Sequence, residues 1–388
     1  MDVKMETVQM AAERLGVSTR TIQNWARDGR LQGAYKAGRD WLIPTDADPG
    51  REETVVENAH VLMPLMSSSF VPGKCREFIA AIGDYDERTI SEAEYCYFSG
   101  QSEKACELTE VYLDSRDDML RLSARLIYAF ASMSLGEIER ARDTFYEIRD
   151  DLDQAAASAN ESYRIASAAV AFTAATLLHL PLTEAADVRK VLNRLNGGFK
   201  ELACYVLAHK AYLEGEYEYS LGMVETSIAL SETLYPIPRI YNYLIAAIDL
   251  MNLKRPEDAA RYFMKAWDMA RPDDLIEGFG EHHGLLQGLM ETCIRRDEPE
   301  IYKRMTDITY RFSSGWRKLH NPATGEKVAD NLTTMEFTVA MLACHGWANS
   351  DIAEFMQLSV STVGQHLSSV YNKLGITKRE QLKHYMLK

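Results

Sequence analysis

The sequence contains no run of about 18 apolar residues, so no segment is expected to cross a membrane as a helix. Its opening residues, MDVKMETVQM, lack the basic and apolar regions of a secretory signal, and a cytoplasmic location without a membrane partner is expected. Cysteines are few (Cys75, Cys96, Cys106, Cys204, Cys293, Cys344) and form neither a CxxC pair nor a framework spacing. They read as reduced, mostly buried thiols. No nucleophile elbow, HExxH helix or Rossmann glycine pattern is present. Gly73-Lys74 invites a phosphate-loop reading that fails, because Ser68 replaces the first glycine and Cys75 the magnesium-holding Ser or Thr. Glu281, His282 and His283 are adjacent, but neighbouring histidines on a helix point about 100° apart and rarely share a metal. No catalytic residue, metal site or cofactor is therefore expected, and the protein is read as no enzyme.

Positive charge is outweighed, 43 Lys and Arg standing against 57 Asp and Glu for a formal net charge of −14. Residues 1–44 and 332–388 each carry a small basic excess, so the acidity lies wholly between them. An acidic centre repels a polyanion and permits DNA contact only at the tips.

What is present begins at the C-terminal end. Thr333 with Glu336, and Thr377 with Glu380, have capping-box spacing. Asn349 is placed to cap a helix running to Met356, and Ser359 to cap the next. Gly346 and Gly375 fall where helix ends favour positive φ. Apolar stripes follow: Phe337, Val339, Ala340, Leu342 and Ala343; then Ile352, Ala353 and Met356; then Val363, Leu367, Val370, Tyr371 and Leu374. Four short helices with a tight second turn predict a helix-turn-helix.

This stretch resembles the LuxR-type (GerE) helix-turn-helix of bacterial transcription regulators. The matching positions include Leu332-Thr333, Glu336, Val339, Leu342-Ala343, Gly346, Asn349 and Ile352-Ala353. They continue through Ser359, Thr362-Val363, His366-Leu367, Tyr371 and Lys373-Leu374-Gly375. The resemblance implies that the third helix enters a DNA major groove, with Ser361, Thr362, Gln365, Ser368, Ser369, Asn372 and Lys373 facing the duplex. It also implies pairing into a homodimer through the fourth helix, with Leu382, Tyr385 and Met386 as an apolar seam. Two departures weaken phosphate contact: Gly364 and Ser350 stand where the family usually has basic residues.

At the other end, Thr7 to Leu15 predicts a short amphipathic helix, Gly16 breaks it, and Ser18 caps a second helix ending at Gly29. Ala12, Gly16 and Ile22 have the spacing of a helix-turn-helix. Tyr35, Trp41 and Ile43 then predict a small hairpin turning at Ala37-Gly38. GVSTRTIQNW and GRDWLIP resemble the winged helix-turn-helix of the MerR/excisionase type. That resemblance implies that Ser18, Thr19, Arg20, Thr21, Gln23 and Asn24 face DNA from the helix, and Lys36 and Arg39 from the wing.

Between the ends, breaks recur near Ser99-Gly100, Leu135-Gly136, His179-Pro181, Gly215 and Lys254-Arg255. After several of them a small residue and then a larger apolar or aromatic one follow at helical spacing: Ala105; Ala141 and Phe145; Ser220 and Val224; Ala260 and Met264. This resembles degenerate tetratricopeptide repeats, whose stacked helix pairs expose a concave surface. Tyr205, Tyr212, Tyr217, Tyr219, Tyr235, Tyr241 and Tyr243 make one stretch rich in rings that would suit a peptide or aromatic ligand, or simply pack between helices.

The expected architecture is mainly α. A winged helix-turn-helix (1–46) with a short β-hairpin and a LuxR-type one (332–388) flank an α-helical, tetratricopeptide-like domain (75–312), through linkers 47–74 and 313–331. The expected function is a DNA-binding transcription regulator whose centre receives a small molecule or protein. A protein scaffold whose end modules act as docks stays open. Ser350 and Gly364 favour it at one end, and Arg20, Lys36 and Arg39 oppose it at the other.

Overall fold

The computed structural model describes residues 4–15, 19–27, 31, 33–38, 40–45, 47, 60–158, 160–177, 188–320 and 332–386. They form two compact units, Met1–Ala59 and His60–Lys388.

The first unit holds β1 (Met5–Thr7), α1 (Val8–Leu15), α2 (Thr19–Arg27), β2 (Tyr35–Ala37) and β3 (Asp40–Pro44). The hairpin forms as expected, with Gly38 at φ 67° between its strands. β1 adds a strand that the sequence did not announce, giving an antiparallel sheet of order β1-β3-β2 with Met5 opposite Pro44. Three residues are too few for alternation to show. Thr7 closes β1, and its hydroxyl accepts the Met10 N–H at 3.4 Å, so α1 begins at Val8. Ala11, Ala12, Ile22, Ala26, Leu31 and Ile43 form the core; Tyr35, expected to line the hairpin, is 53 % exposed. Arg14 reaches Glu6 Oε1 at 2.8 Å and the Ala47 carbonyl at 3.1 Å, tying both ends of the unit to α1.

The described residues of the second unit form helices, turns and irregular segments and no strand. Its central part runs through α3 (Cys75–Ala81), α4 (Tyr85–Phe98), α5 (Ser102–Thr109), α6 (Asp118–Ser134), α7 (Ile138–Ala157), α8 (Glu161–Leu177) and α9 (Gly197–Leu213). It continues with α10 (Tyr217–Leu230), α11 (Pro236–Asn252), α12 (Pro256–Ala270), α13 (Glu277–Glu281), α14 (Leu289–Cys293) and α15 (Pro299–His320). α16 (Thr334–Cys344), α17 (Asn349–Phe355), α18 (Val360–Leu374) and α19 (Leu382–Met386) complete it.

One turn recurs through the centre. Gly100, Gly136, Gly215 and Lys254 all take positive φ (76°, 77°, 81° and 58°). The N–H that follows each one bonds back to a carbonyl five residues earlier: Gln101 to Cys96, Glu137 to Ser132, Glu216 to Ala211, Arg255 to Leu250. This is the Schellman closure of a helix C-terminus. A new helix starts within two residues of each, and five residues past each left-handed position stands a fully buried small side chain: Ala105, Ala141, Ser220 and Ala259. The last corrects the expected Ala260, which is only partly buried; its larger partner is Phe263, fully buried, and not Met264. PEDAARYF offers two adjacent alanines, and only the turn fixes which faces inward. The repeated turn is compatible with a tetratricopeptide-like centre. The break expected at His179–Pro181 lies outside the described residues.

Neither expected linker keeps its bounds. Residues 60–74 are irregular but built into the helical core, with Leu62, Met63, Leu65 and Phe70 buried. The Leu65 and Met66 N–H groups donate at 2.8 and 2.9 Å to the two carboxylate oxygens of buried Glu94 on α4. Burial pushes that carboxyl up to about 8 even against these two bonds. At the far side, α15 runs on to His320.

Two substitutions test this fold. Lys254→Gly should raise stability by about 0.5–1 kcal/mol, because lysine alone among the four equivalent residues bears a Cβ in the left-handed region. Thermal melting of the intact chain measures it. Glu94→Leu strands two buried N–H groups at a cost of about 1–3 kcal/mol each, read as a lowered urea midpoint.

Candidate nucleic-acid interface

Helix α16 opens with the expected capping box: the Glu336 N–H donates to Thr333 Oγ1 at 3.2 Å, and the Thr333 N–H to Glu336 Oε2 at 2.8 Å. Glu336 does more than cap. Ser369 Oγ donates to its Oε1 at 2.6 Å and Lys373 Nζ to its Oε2 at 2.7 Å, so one carboxylate locks α18 to α16. Burial alone would raise this carboxyl, but Lys373, Ser369 and Thr333 bring it down to about 2. α18 starts as expected, with Ser359 Oγ accepting the Thr362 N–H at 3.0 Å, and ends at Gly375 with φ 64°. Val363, Leu367, Val370 and Leu374 face the core.

The outer side of α18 exposes Ser361, Gln365, Ser368 and Asn372. Thr362 is half-buried, with its hydroxyl 2.8 Å from Ser359 Oγ. Ser369 and Lys373, expected to face DNA, are held by Glu336. Lys373 was the one cation of that helix, and it pairs with Glu336 of the same module while its side chain stays 35 % exposed.

Other details differ from the sequence reading. α17 is capped one residue early: the Ala348 N–H donates to Asp351 at 3.3 Å, while Asn349 Oδ1 accepts from Arg379 at 2.8 Å. Arg379 also donates to the Ala343 and Trp347 carbonyls, so it braces the α16–α17 turn. Gln381, not Glu380, accepts the Thr377 and Lys378 N–H groups, at 3.0 and 2.9 Å. Leu382 and Met386, expected as a pairing seam, are buried within this chain's own core, with Tyr385 packed beside them.

In the first unit, Ile22 and Ala26 turn α2 inward, leaving Thr19 and Gln23 exposed on the helix and Lys36 on the wing strand. The side chains of Arg20, Thr21 and Asn24, and the whole of Ser18 and Arg39, lie outside the described residues.

The tyrosines of the centre mostly serve packing. Tyr205 and Tyr241 meet edge to face at 5.3 Å, and Tyr212 lies 5.5 Å from Tyr217. Tyr97 and Tyr241 donate to the two oxygens of Glu281, at 2.5 and 2.9 Å. His282 faces Tyr205 Oη at 2.9 Å while His283 faces Glu291 at 2.7 Å, so the adjacent histidines serve different neighbours. Of the seven tyrosines only Tyr219 and Tyr235 reach the cavity of about 880 Å³ beside α9 and α10, with Met223, Leu230 and Cys204. Buried Glu201, paired with Arg239, forms part of its wall. His60 was not singled out by the sequence. Its ring nitrogens lie 2.9 Å from Asp117 and 3.3 Å from Asp84, the N-caps of α6 and α4; burial opposes its protonation, but the two carboxylates raise its pKa.

Glu336→Gln keeps the reach to the Thr333 N–H but loses the charge opposite Lys373, a cost of about 1–2 kcal/mol at neutral pH. A carboxyl held at about 2, against an ordinary 4.5, stabilises fully above pH 4.5, and that contribution is lost as pH falls through 2. The stability gap between wild type and this variant should therefore close over that window, as measured by denaturant unfolding at stepped pH.

Comparison with known proteins agrees with this geometry. No curated protein and no solved structure matches the chain significantly. Residues 7–47 match a helix-turn-helix domain, and residues 330–386 match bacterial regulatory proteins of the luxR family. Both are DNA-binding regulatory modules, and together they support a DNA-binding transcription regulator. The chain thus carries a luxR-family helix-turn-helix at its C-terminal end and a second helix-turn-helix domain at its N-terminal end.

Proposed function

We propose that the protein is a sequence-specific transcription regulator of the bacterial cytoplasm. Its N-terminal module, of the MerR/excisionase kind, supplies most of the base reading. The C-terminal module contributes as one of a pair in a homodimer, and the tetratricopeptide-like centre receives a small molecule or a protein. No catalytic role is assigned. The observation that carries this reading is the distribution of polar side chains on the two reading helices. α2 exposes Thr19 and Gln23 beside the wing's Lys36, and the sequence adds Arg20 and Asn24 to the same helix. Arginine, glutamine and asparagine make paired hydrogen bonds to base edges, each good pair worth about 1–3 kcal/mol of discrimination. α18 exposes uncharged Ser361, Gln365, Ser368 and Asn372, which suit contact with a duplex already held by other means. The cavity beside α9 and α10 is the place proposed for an effector, its volume falling in the range of small-molecule sites.

One observation favours a second reading for the C-terminal end. Lys373 and Arg379 are engaged within the fold, Ser350 and Gly364 carry no charge, and the exposed Lys378 and Lys383 lie outside α18, so the reading helix itself offers little charge to phosphate. That composition also suits a protein-docking module.

Replacing Arg20 and Gln23 together by alanine in the intact chain should abolish selective binding to the duplexes that the wild type enriches from a random pool, while the circular dichroism spectrum stays unchanged. Retained selectivity would transfer base reading to α18.

A further inference from the structure

The C-terminal module is seated on the central helices through a site that the sequence did not reveal. Two glycines of the 278–288 stretch make room for it. A Cβ on Gly284 would stand 2.9 Å from the Phe337 ring of α16. One on Gly288, whose φ is +95°, would meet Met356 Sδ at 2.7 Å, Thr338 Cγ2 at 3.0 Å and the Phe355 ring at 3.2 Å. At the floor lies Glu291 of α14, with a side chain only 2 % exposed. Its Oε1 receives His283 Nε2 at 2.7 Å, the Tyr302 hydroxyl at 3.1 Å and, from the module itself, the Thr338 hydroxyl at 3.3 Å. Tyr310 of α15 adds a contact at the edge, its hydroxyl accepting the Thr334 N–H at 3.0 Å.

A carboxylate is a costly group to bury unless donors converge on it. Two of the three donors here belong to the centre, and all three converge on Oε1. The third donor is a buried threonine on the face of α16 turned away from solvent, 1 % exposed. An apolar side chain would fill that position without needing a partner. A hydroxyl there ties the module to one placement, because only one orientation of α16 brings it to Oε1. The seat takes the first half of α16 and the end of α17, while Ser361, Gln365, Ser368 and Asn372 of α18 stay exposed. The reading helix is thus held without being covered.

We propose that Glu291 is the positioning residue of the C-terminal reading module, acting through Thr338, and that the glycine seat at 284 and 288 sets the angle at which α18 is presented to DNA. This rests on the DNA-reading function proposed above. The module is a fixed head on the helical centre, and a change in the α13–α15 region reaches α18 through this contact.

Full-length chains carrying Thr338→Val, Thr338→Ser and Gly284→Leu test it. The first removes the hydroxyl at nearly constant shape, the second restores it, and the third wedges the seat from the central side while every helix-turn-helix residue keeps its identity. Thr338→Val and Gly284→Leu should raise backbone hydrogen exchange in both 289–293 and 334–344. Each should lower affinity for the duplex that wild type enriches by on the order of tenfold, the loss of a hydrogen bond to a charged group. Thr338→Ser should restore both, and exchange within α18 should not change. Unchanged affinity in both Thr338→Val and Gly284→Leu overturns the positioning role, as does a failure of serine to rescue. If the wild type enriches no duplex, the DNA-reading function fails separately. Exchange that rises in 334–344 but not in 289–293 then overturns the seat on its own.

Discussion

A helix can hand the chain on in many directions, and this fold depends on one closure that removes the choice. A residue in the left-handed region stops the helix, and the next N–H bonds back to a carbonyl five residues earlier. Gly100, Gly136, Gly215 and Lys254 do this through the centre. Gly346, Gln357 and Gly375 do it again in the luxR-family module, with Trp347 bonding to Leu342, Leu358 to Ala353 and Ile376 to Tyr371. The helix-turn-helix turn is therefore the same device that sets the helix-to-helix step of the central array. Because each closure is tight, the next helix must cross close by, and a small residue at a fixed distance is what permits the approach. Ala105, Ala141, Ser220 and Ala259 follow from the turn and not from any separate requirement.

The second organising feature is what the chain does with its acidity. A net charge of −14 suggests a solvated negative surface, yet several carboxylates lie inside. Glu94 gathers two N–H groups of the incoming segment, Glu201 pairs with Arg239, half-buried Glu281 takes two tyrosine hydroxyls, and Glu291 takes a histidine, a tyrosine and a threonine. Each gathers donors from elements far apart in sequence. Such groups contribute less to net stability than to choosing one arrangement over its neighbours, since a misplaced helix leaves a buried polar group without partners. In a domain of similar stacked helices, where slipping by one turn would keep most apolar contacts, that selectivity matters.

The sequence showed most of what is local. Capping of α16 and α18, the glycine at each of three central turns and the inward stripes of α17 and α18 were legible, because each needs only residues within one or two turns of one another. Lys254 was found only by its spacing, since nothing in lysine signals positive φ. What stayed hidden was long-range. Gln381 displaced Glu380 as a cap by a one-residue choice that composition does not settle. Residues 60–74 resembled a connector because their partners, Glu94 and Ser123, lie 28 to 60 positions away. The seat for α16 was legible only as two adjacent histidines unsuited to one metal, and its meaning depends on Phe337 and Thr338, some fifty residues on.

The fate of the basic residues bears on how the two ends divide their work. In the luxR-family module, Lys373 neutralises Glu336 and Arg379 braces the α16–α17 turn, so two of its few cations are committed to holding the helices in place. A module that uses its cations in this way has less of the long-range, salt-sensitive attraction to a duplex, with Lys378 and Lys383 left exposed outside α18. What remains on α18 is a row of hydroxyls and amides, groups that act only within hydrogen-bond distance. Short-range groups make a useful reader only if something else delivers them to the groove at the right angle. On the reading proposed above, a head seated on the helical centre, in a chain whose other end exposes Thr19, Gln23 and Lys36, satisfies that condition. A freely tethered head would have to pay the orienting entropy at every encounter.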